Sequence, residues 1–448
     1  MPDLRLIGRL DHNFGWCDGR FADGTPCDPT APVPSTLLGT VAWVGAGPEG
    51  EGRHRLLRDP LGLNKLFWSA ANGSILVAAR PGRLVDAGCP FESIRALPPG
   101  TVVDLDMQRE RARVTRLALG DTPAASVARG GGGGAAELVG GLAGEIRARL
   151  DRFFAALARA YHGTHVFVCL SGGLDSAGIA VLARAHFPKV VAVSFDLWRS
   201  NGHVSEDRRT AERLAQDLDL PLLRVTVAPD ELLTALDTVL VEAIDWRDFN
   251  VHTALINACL ARGVAAVCAD HALGRALVLT GDLPNEFLVD YAAETYGGRT
   301  YYRLPRLPRD GQRGMLVRGL ETSHREIGPF EASGLPVALP YAAAADLFLA
   351  LPPEFLEVPD RKDRLSRLVF GTEIPPYVYA RGKTRAQLGD ADPGMGVLAI
   401  CADRGLDNQC LRRRFAELHG VREIGALDRF IRGGRYRSGI PLLEEESV

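Results

Sequence analysis

The chain has 448 residues, enough for two domains, with 46% hydrophobic and 24% charged residues. The formal net charge is −3, which leaves no electrostatic footprint for nucleic acid. No charged and apolar leader pattern opens the sequence and no uninterrupted apolar run of membrane length is expected, so the expectation is a cytoplasmic protein without membrane or nucleic-acid partners. The eight cysteines show no Cys-x-x-Cys spacing, and several sit in apolar runs, so buried free thiols are expected. Only Lys65, Lys189, Lys362 and Lys383 are lysine among 52 basic residues. Where arginine is the default, a retained lysine points to a need for a compact ammonium.

Residues 1–117 read as β-rich. Short apolar runs at Leu38–Val44, Ile75–Ala79 and Val102–Leu105 alternate with turns of Gly, Pro and Asp. Residues 118–136 contain five consecutive glycines, Gly130 to Gly134, and read as a linker. Residues 137–448 form the second expected domain. Leu138, Leu142, Ile146, Leu150, Phe153, Phe154 and Leu157 lie at helical spacing between Ala136 and Tyr161.

Val166–Leu170 is an apolar run of the kind buried on both faces of a parallel sheet. Ser171-Gly172-Gly173-Leu174-Asp175-Ser176 turns the chain, and Ala177–His186 continues at helical spacing. A strand, a glycine turn and a helix make an anion site, because the backbone can approach closely and free N–H groups point at the charge. An Asp or Ser helix cap in a polar turn is the plainer alternative. The Gly-Lys-Ser/Thr ending of a Walker A loop is missing, and the glycine spacing of a dinucleotide fingerprint is absent. Asp175 is expected to hold a metal ion bridging to phosphates.

The alternation continues with a strand at Val190–Phe195, a helix at Glu206–Leu220 and a strand at Leu222–Val227, which predicts a doubly wound parallel sheet. Ligands bind at the carboxyl ends of such strands, where Ser194 lies. Leu232–Ile244 and Thr253–Arg262 read as helices, Ala276–Thr280 as a short strand, and the remainder as helices and loops with a basic stretch at Arg429–Arg437 on the surface.

Ser171–Ser176 matches every fixed position of Ser-Gly-Gly-x-Asp-Ser, the pyrophosphate loop of ATP pyrophosphatases. Further segments resemble class B asparagine synthetase in the same order along the chain. Thr280-Gly281-Asp282-Leu283-Pro284-Asn285-Glu286 resembles that family's Ser-Gly-Glu-Gly-x-Asp-Glu loop, with Asn285 where the family has its metal-binding aspartate. Arg325, Gly334–Tyr341 and Leu351–Pro353 resemble the run that follows, with Ala338 in place of an arginine. Arg361–Leu368 resembles the Lys-x-x-Leu-Arg helix, and Ile374–Lys383 the segment ending Arg-x-Lys. In the first domain, Arg58–Trp68 and Leu97–Asp104 resemble pieces of the glutamine-hydrolysing domain. There the family has a nucleophilic cysteine after the initiator methionine and this sequence has Pro2.

The resemblance implies an α/β chain: a degenerate N-terminal nucleophile hydrolase-like β-rich domain without glutaminase activity, then a doubly wound parallel-sheet ATP pyrophosphatase domain with a helical C-terminal part. It implies ATP and Mg2+ as cofactors. The ATP and pyrophosphate contacts fall on Ser171, Gly172, Gly173, Leu174, Asp175, Ser176, Ser194, Gly281 and Lys362; the metal ligands on Asp175, Asn285 and Glu286; the catalytic roles on Lys383, Asp282 and Glu286. The implied reaction adenylates a small-molecule or peptide carboxylic acid and passes the acyl group to an amine, as β-lactam synthetases and lasso-peptide cyclases do. A homodimer is compatible with this. A different adenylating ATP pyrophosphatase and a nucleotide-binding pseudoenzyme remain open.

Overall fold

The computed structural model describes residues 3–17, 20–23, 37–47, 52–71, 73–117, 119, 134–200, 202, 204–381 and 396–443. Most of the expected linker at 118–136, and Lys383, lie outside them. The chain divides into two compact units: residues 1–119, 317–324 and 412–448 form one, and residues 120–316 and 325–411 the other.

The first unit carries β1 (Asp3–Leu6), β2 (Phe14–Cys17), β3 (Arg20–Asp23), β4 (Leu37–Thr40), β5 (Ala42–Ala46), β6 (Arg53–Arg58), β7 (Phe67–Ala71), β8 (Ser74–Ala78), β9 (Arg95–Ala96), β10 (Thr101–Asp106) and β11 (Arg111–Arg116). They pair in the orders β1-β8-β7-β9, β11-β10-β6-β5 and β3-β2-β4. The apolar run Leu38–Val44 is therefore divided between two strands in two sheets. Successive side chains of a strand point to opposite faces. Accordingly Leu56 and Val103 enter one apolar cluster, with Leu66, Ile75, Val77 and Leu97, while their neighbours Leu57 and Val102 enter another, with Leu37, Val41 and Leu117. The β11-β10-β6-β5 sheet is thus packed on both sides.

Residues 317–324 and 412–448, read from sequence as part of the second domain, cluster with this first unit. The reasons are visible in the bonds they make. Arg58, 1% exposed, donates to the carbonyl oxygens of Asn64 (3.0 Å), Leu97 (2.6 Å), Gly62 (2.8 Å) and Glu321 (3.0 Å). Lys65 donates to Gly62 (2.6 Å) and Leu320 (2.9 Å). The Phe67 ring stacks on Phe430 and meets Tyr436 edge-on, and Trp68 Nε1 donates to the Gly439 carbonyl. Cys17 is disulfide-bonded, which corrects the expectation of free thiols throughout; Cys89, Cys169, Cys259, Cys268, Cys401 and Cys410 are free.

The second unit is built on five parallel strands: β12 (His165–Cys169), β13 (Val190–Leu197), β14 (Leu222–Val227), β15 (Ala276–Leu279) and, after a small hairpin of β16 (Glu294–Tyr296) and β17 (Arg299–Tyr301), β18 (Val337–Ala338). Their order is β14-β13-β12-β15-β18. Val166, Phe167 and Val168 of β12 are fully buried, as an apolar run central to a parallel sheet requires. The chain is an α/β protein with a β-rich first unit, this helix-flanked parallel sheet and a mainly helical segment after it.

The helices follow their apolar spacing. In Ala135–Ala160, Leu142, Ile146, Leu150, Phe153, Phe154 and Leu157 are buried. Glu206–Asp217 starts on Ser205, whose hydroxyl accepts from the Arg208 N–H, and stops where Asp219 takes a left-handed φ of 53°. The helix expected over Leu232–Ile244 is two, Pro229–Leu233 and Leu236–Glu242. Thr234 breaks it: its hydroxyl donates to the Glu231 carbonyl at 2.7 Å, competing with the helical ladder. Asp248–Asp270 meets the length and composition of a membrane span, with a mean hydropathy of 1.5, which the sequence was not expected to contain. Val251, Leu255, Ile256 and Leu260 on it are buried, and it packs on β13 and β14 as a core helix of this unit.

Candidate active site

The strand order reverses between β12 and β15, and such a switch point opens a crevice at the carboxyl ends of the two strands. Val168 is paired with Leu279, so both strands end at the same level. The loop Ser171–Ser176 and the loop Thr280–Glu286 therefore leave the sheet side by side. A Cβ placed on Gly281 would lie 2.7 Å from the Ser176 nitrogen and 2.8 Å from the Asp175 carbonyl carbon. Gly172, at φ 73°, occupies the left-handed region and would bring a Cβ to 2.7 Å from Thr210. These glycines are there for close backbone approach.

The helix Leu174–His186 begins at Gly173, and no side chain caps it. The plainer reading, an Asp or Ser cap, is thereby set aside. Ser176 Oγ instead donates to the Gly173 carbonyl (3.0 Å) and accepts from the Ser171 N–H (3.2 Å), which holds the turn in shape. An uncapped first turn facing a cavity is an anion cradle. Arg381 closes one side, donating to the Ser171 carbonyl at 3.2 Å and pairing with Asp207.

The cavity has a volume of about 380 Å³. Ser171 to Ser176, Ser194, Gly281, Asp282, Asn285, Glu286 and Lys362 all line it, so of the residues singled out from sequence only Lys383 is not placed. Ser194 Oγ is buried and has no hydrogen-bond partner among the described residues.

The expected metal ligands are otherwise engaged. Lys362 Nζ donates to Asp175 Oδ2 and, at 2.7 Å, to Asn285 Oδ1, and lies 3.6 Å from Asp290 Oδ2. Burial works against its charge, but Asp175 and Asp290 more than offset this and raise its pKa. Glu286 accepts from Arg325 Nη2 (2.9 Å) and from the Tyr291 hydroxyl (2.5 Å). Among the described residues no cluster of three or more His, Cys, Asp or Glu side chains could hold a metal ion. Each of the three expected metal ligands thus faces a protein cation, Lys362 or Arg325.

Around Arg325 the charge is acidic. Arg325, over the Phe249 ring at 4.5 Å, bonds Glu286, Glu326 and the Asn250 carbonyl-type oxygen (2.7 Å). One guanidinium thus faces two carboxylates before Asp282 is counted. Burial first and Glu326 next push the Asp282 carboxyl up to about 7, against the attraction of Arg325. A carboxyl that titrates near neutrality in a cleft suits proton transfer. Leu283, between them, has φ 91°, a left-handed conformation costing a non-glycine residue about 1–3 kcal/mol. The loop it resembles has glycine there.

Sequence reasoning missed Arg199. It is 6% exposed and lines the cavity, it pairs with Asp196 at 3.9 Å, and its Nε and Nη1 have no hydrogen-bond partner among the described residues. The chain's arginine excess hid it. Glu326 and Tyr291 were likewise without a distinguishing signal of their own, because they meet Arg325 only in the fold; Arg325 itself was marked only by its place in the resembling run.

No curated protein matches the chain. Solved structures resemble parts of it. The NH3-dependent NAD synthetase of Campylobacter jejuni is 23% identical, with 33% of this chain and 60% of that chain covered and a TM-score of 0.23. The NMN synthetase of Francisella tularensis is 12% identical, with 62% and 92% covered and a TM-score of 0.28. The glutamine-dependent NAD+ synthetase of Acinetobacter baumannii, solved with ADP, is 15% identical, with 73% and 48% covered and a TM-score of 0.28. The chain thus spans less than two thirds of the first and third of these proteins. Residues 146–333, which carry both loops of the cavity, match the family model described as asparagine synthase.

Proposed function

We propose that the chain is an ATP-dependent carbon–nitrogen ligase that forms AMP and pyrophosphate. The observation that carries this reading is the uncapped helix start at Leu174, held open beside Gly281 at the switch point of the parallel sheet, within the segment that matches asparagine synthase. The cradle of Ser171–Ser176 binds the departing pyrophosphate through backbone N–H groups and hydroxyls. A carboxylate oxygen of the substrate attacks the α-phosphorus, and the bond from that phosphorus to the bridging oxygen breaks. An amine nitrogen then attacks the acyl carbon of the mixed anhydride, and AMP leaves. Asp282 takes the proton the amine must lose, and Arg325 with Glu286 and Glu326 fixes the acidic surroundings in which a cationic amine is held before that loss. Lys383, on the segment resembling Arg-x-Lys, stabilises the charge of the tetrahedral intermediate.

The amine is free ammonia, a second substrate or a group within the same molecule, not ammonia cut from glutamine by the first unit. Arg58, in the segment resembling the glutaminase domain, is committed to four backbone carbonyl oxygens, and Pro2 stands where that family has its nucleophilic cysteine. The resemblance of the sequence motifs to β-lactam synthetases and lasso-peptide cyclases supports a role in natural-product biosynthesis. Lys362 seated on Asp175 and Asn285 favours a second reading, a nucleotide-binding scaffold without turnover. Pyrophosphate release from ATP, measured with panels of carboxylic acids and amines, separates the two. Release that requires both an acid and an amine, and is lost in Asp175→Ala and Lys383→Ala, is expected. Release that survives both substitutions, or is stimulated by glutamine but not ammonium, overturns the ligase reading as stated.

A further inference from the structure

Three oxygens from separate stretches of chain converge on the Lys362 ammonium. Asp175 Oδ2 comes from the first turn after β12, Asn285 Oδ1 from the loop after β15, and Asp290 Oδ2 from beyond the short helix Pro284–Leu288. The lysine is delivered there by the first turn of the helix Arg361–Phe370, whose Leu365, Val369 and Phe370 are buried. The preceding residue locks that turn to the same loop: Arg361 Nε donates to the Leu288 carbonyl at 2.5 Å, and its Nη2 to that of Val289. The ammonium is therefore positioned by two rigid attachments, and its side chain is 13% exposed.

An oxygen cage of this kind from two carboxylates and one amide is a cation site. A small ammonium fits it and an arginine fork does not, which accounts for a lysine in a chain with only four. A divalent ion in the same place would sit against a like charge. It would also need Asn285 to supply what a carboxylate supplies better. We propose that Lys362 is a built-in cation that replaces a protein-ligated divalent ion, so that this chain neutralises the polyphosphate tail of its nucleotide with an ammonium. The polyphosphate half of this rests on the nucleotide reading above; the cation half stands on the cage alone.

The test is Mn2+ binding to the nucleotide-free full chain, read from the loss of the free-ion electron paramagnetic resonance signal. The wild type is expected to bind no ion at this site. Lys362→Met is expected to gain one Mn2+, bound at least an order of magnitude more tightly when combined with Asn285→Asp, and the gain is expected to disappear on adding Asp175→Ala. If Lys362→Met does not fold by circular dichroism, Lys362→Gln is read in its place. Wild-type binding that Asp175→Ala abolishes, or no gain on removing the lysine, overturns the proposal. Calorimetry with ATP in excess chelator is the second arm: the wild type is expected to keep its affinity within a few-fold, and Lys362→Met to require magnesium. Absence of ATP binding under both conditions overturns the nucleotide reading, while the Mn2+ comparison still decides the cation claim.

Discussion

Gly281 and Ser176 meet backbone to backbone: a methyl group on the glycine would fall 2.7 Å from the serine nitrogen. The neighbouring atom is main chain in the first turn of a core helix, so it cannot swing aside. Gly281→Ala should separate the two loops and cost about 1–3 kcal/mol of stability, as overpacking does. The damage should fall on the cradle, so ATP affinity should drop more steeply than the melting temperature. Equal affinity in the variant, measured by calorimetry, would show that the contact is incidental to the ligand site.

Much of this arrangement was legible beforehand, for physical reasons. β12 reads as a buried strand because apolar side chains are required on both its faces, and the long helix before it because its apolar residues recur every three or four positions. The loop after β12 is legible because close approach leaves glycine little substitute. What escaped is what only three dimensions bring together. Nothing local in Glu321 or Leu320 says that their carbonyls receive Arg58 and Lys65, and nothing in Lys362 says that it lands between Asp175 and Asn285. The same holds for the expected metal ligands Asp175, Asn285 and Glu286: spacing along the chain placed them together, but not the cations, Lys362 and Arg325, that reach them from elsewhere.

Arg199 gives a sharper test of the cavity. A buried guanidinium with Nε and Nη1 lacking partners among the described residues is under-satisfied in the unliganded protein. An anion would complete it. Arg199→Ala should weaken ATP binding by about 10- to 100-fold, the worth of a hydrogen bond to a charged group, while leaving thermal stability unchanged or slightly raised. A fall in stability with unchanged affinity would assign the arginine to packing against Asp196.

In the first unit, Asp11 joins Arg80 (2.9 Å to each oxygen) and His324 (2.9 Å) in a buried cluster. Burial pushes His324 down to about 3, although Asp11 pulls the other way. Its ordinary value is 6.5, so between these limits the unfolded chain holds a proton that the folded one excludes. Stability is then complete above pH 6.5 and lost as the pH falls, by about 1.4 kcal/mol per unit at most. Asp11, held far below its ordinary 3.8 by Arg80 and His324 against burial, adds to the loss once the pH drops under about 4. Urea midpoints at pH 7, 6 and 5 should fall in the wild type and stay flatter in His324→Gln.

Asp282 should show function and stability pulling in opposite directions. Its carboxyl, raised from 3.8 to about 7 chiefly by burial and then by Glu326, binds a proton in the folded state that the unfolded chain has already released. The contribution to stability is therefore fully present below the unfolded value and is lost as the pH rises through 7. As an acceptor for the amine proton it must be ionised, so pyrophosphate-coupled amide formation should climb through the same interval and level off above it. Asp282→Asn removes the charge but keeps the shape. It should lower the rate by about 10²- to 10⁴-fold and abolish that rise, yet make the protein more stable than the wild type above pH 7. A variant that loses activity and stability together at every pH would identify Asp282 as a structural residue of the loop, because relief of a buried negative charge has no other signature.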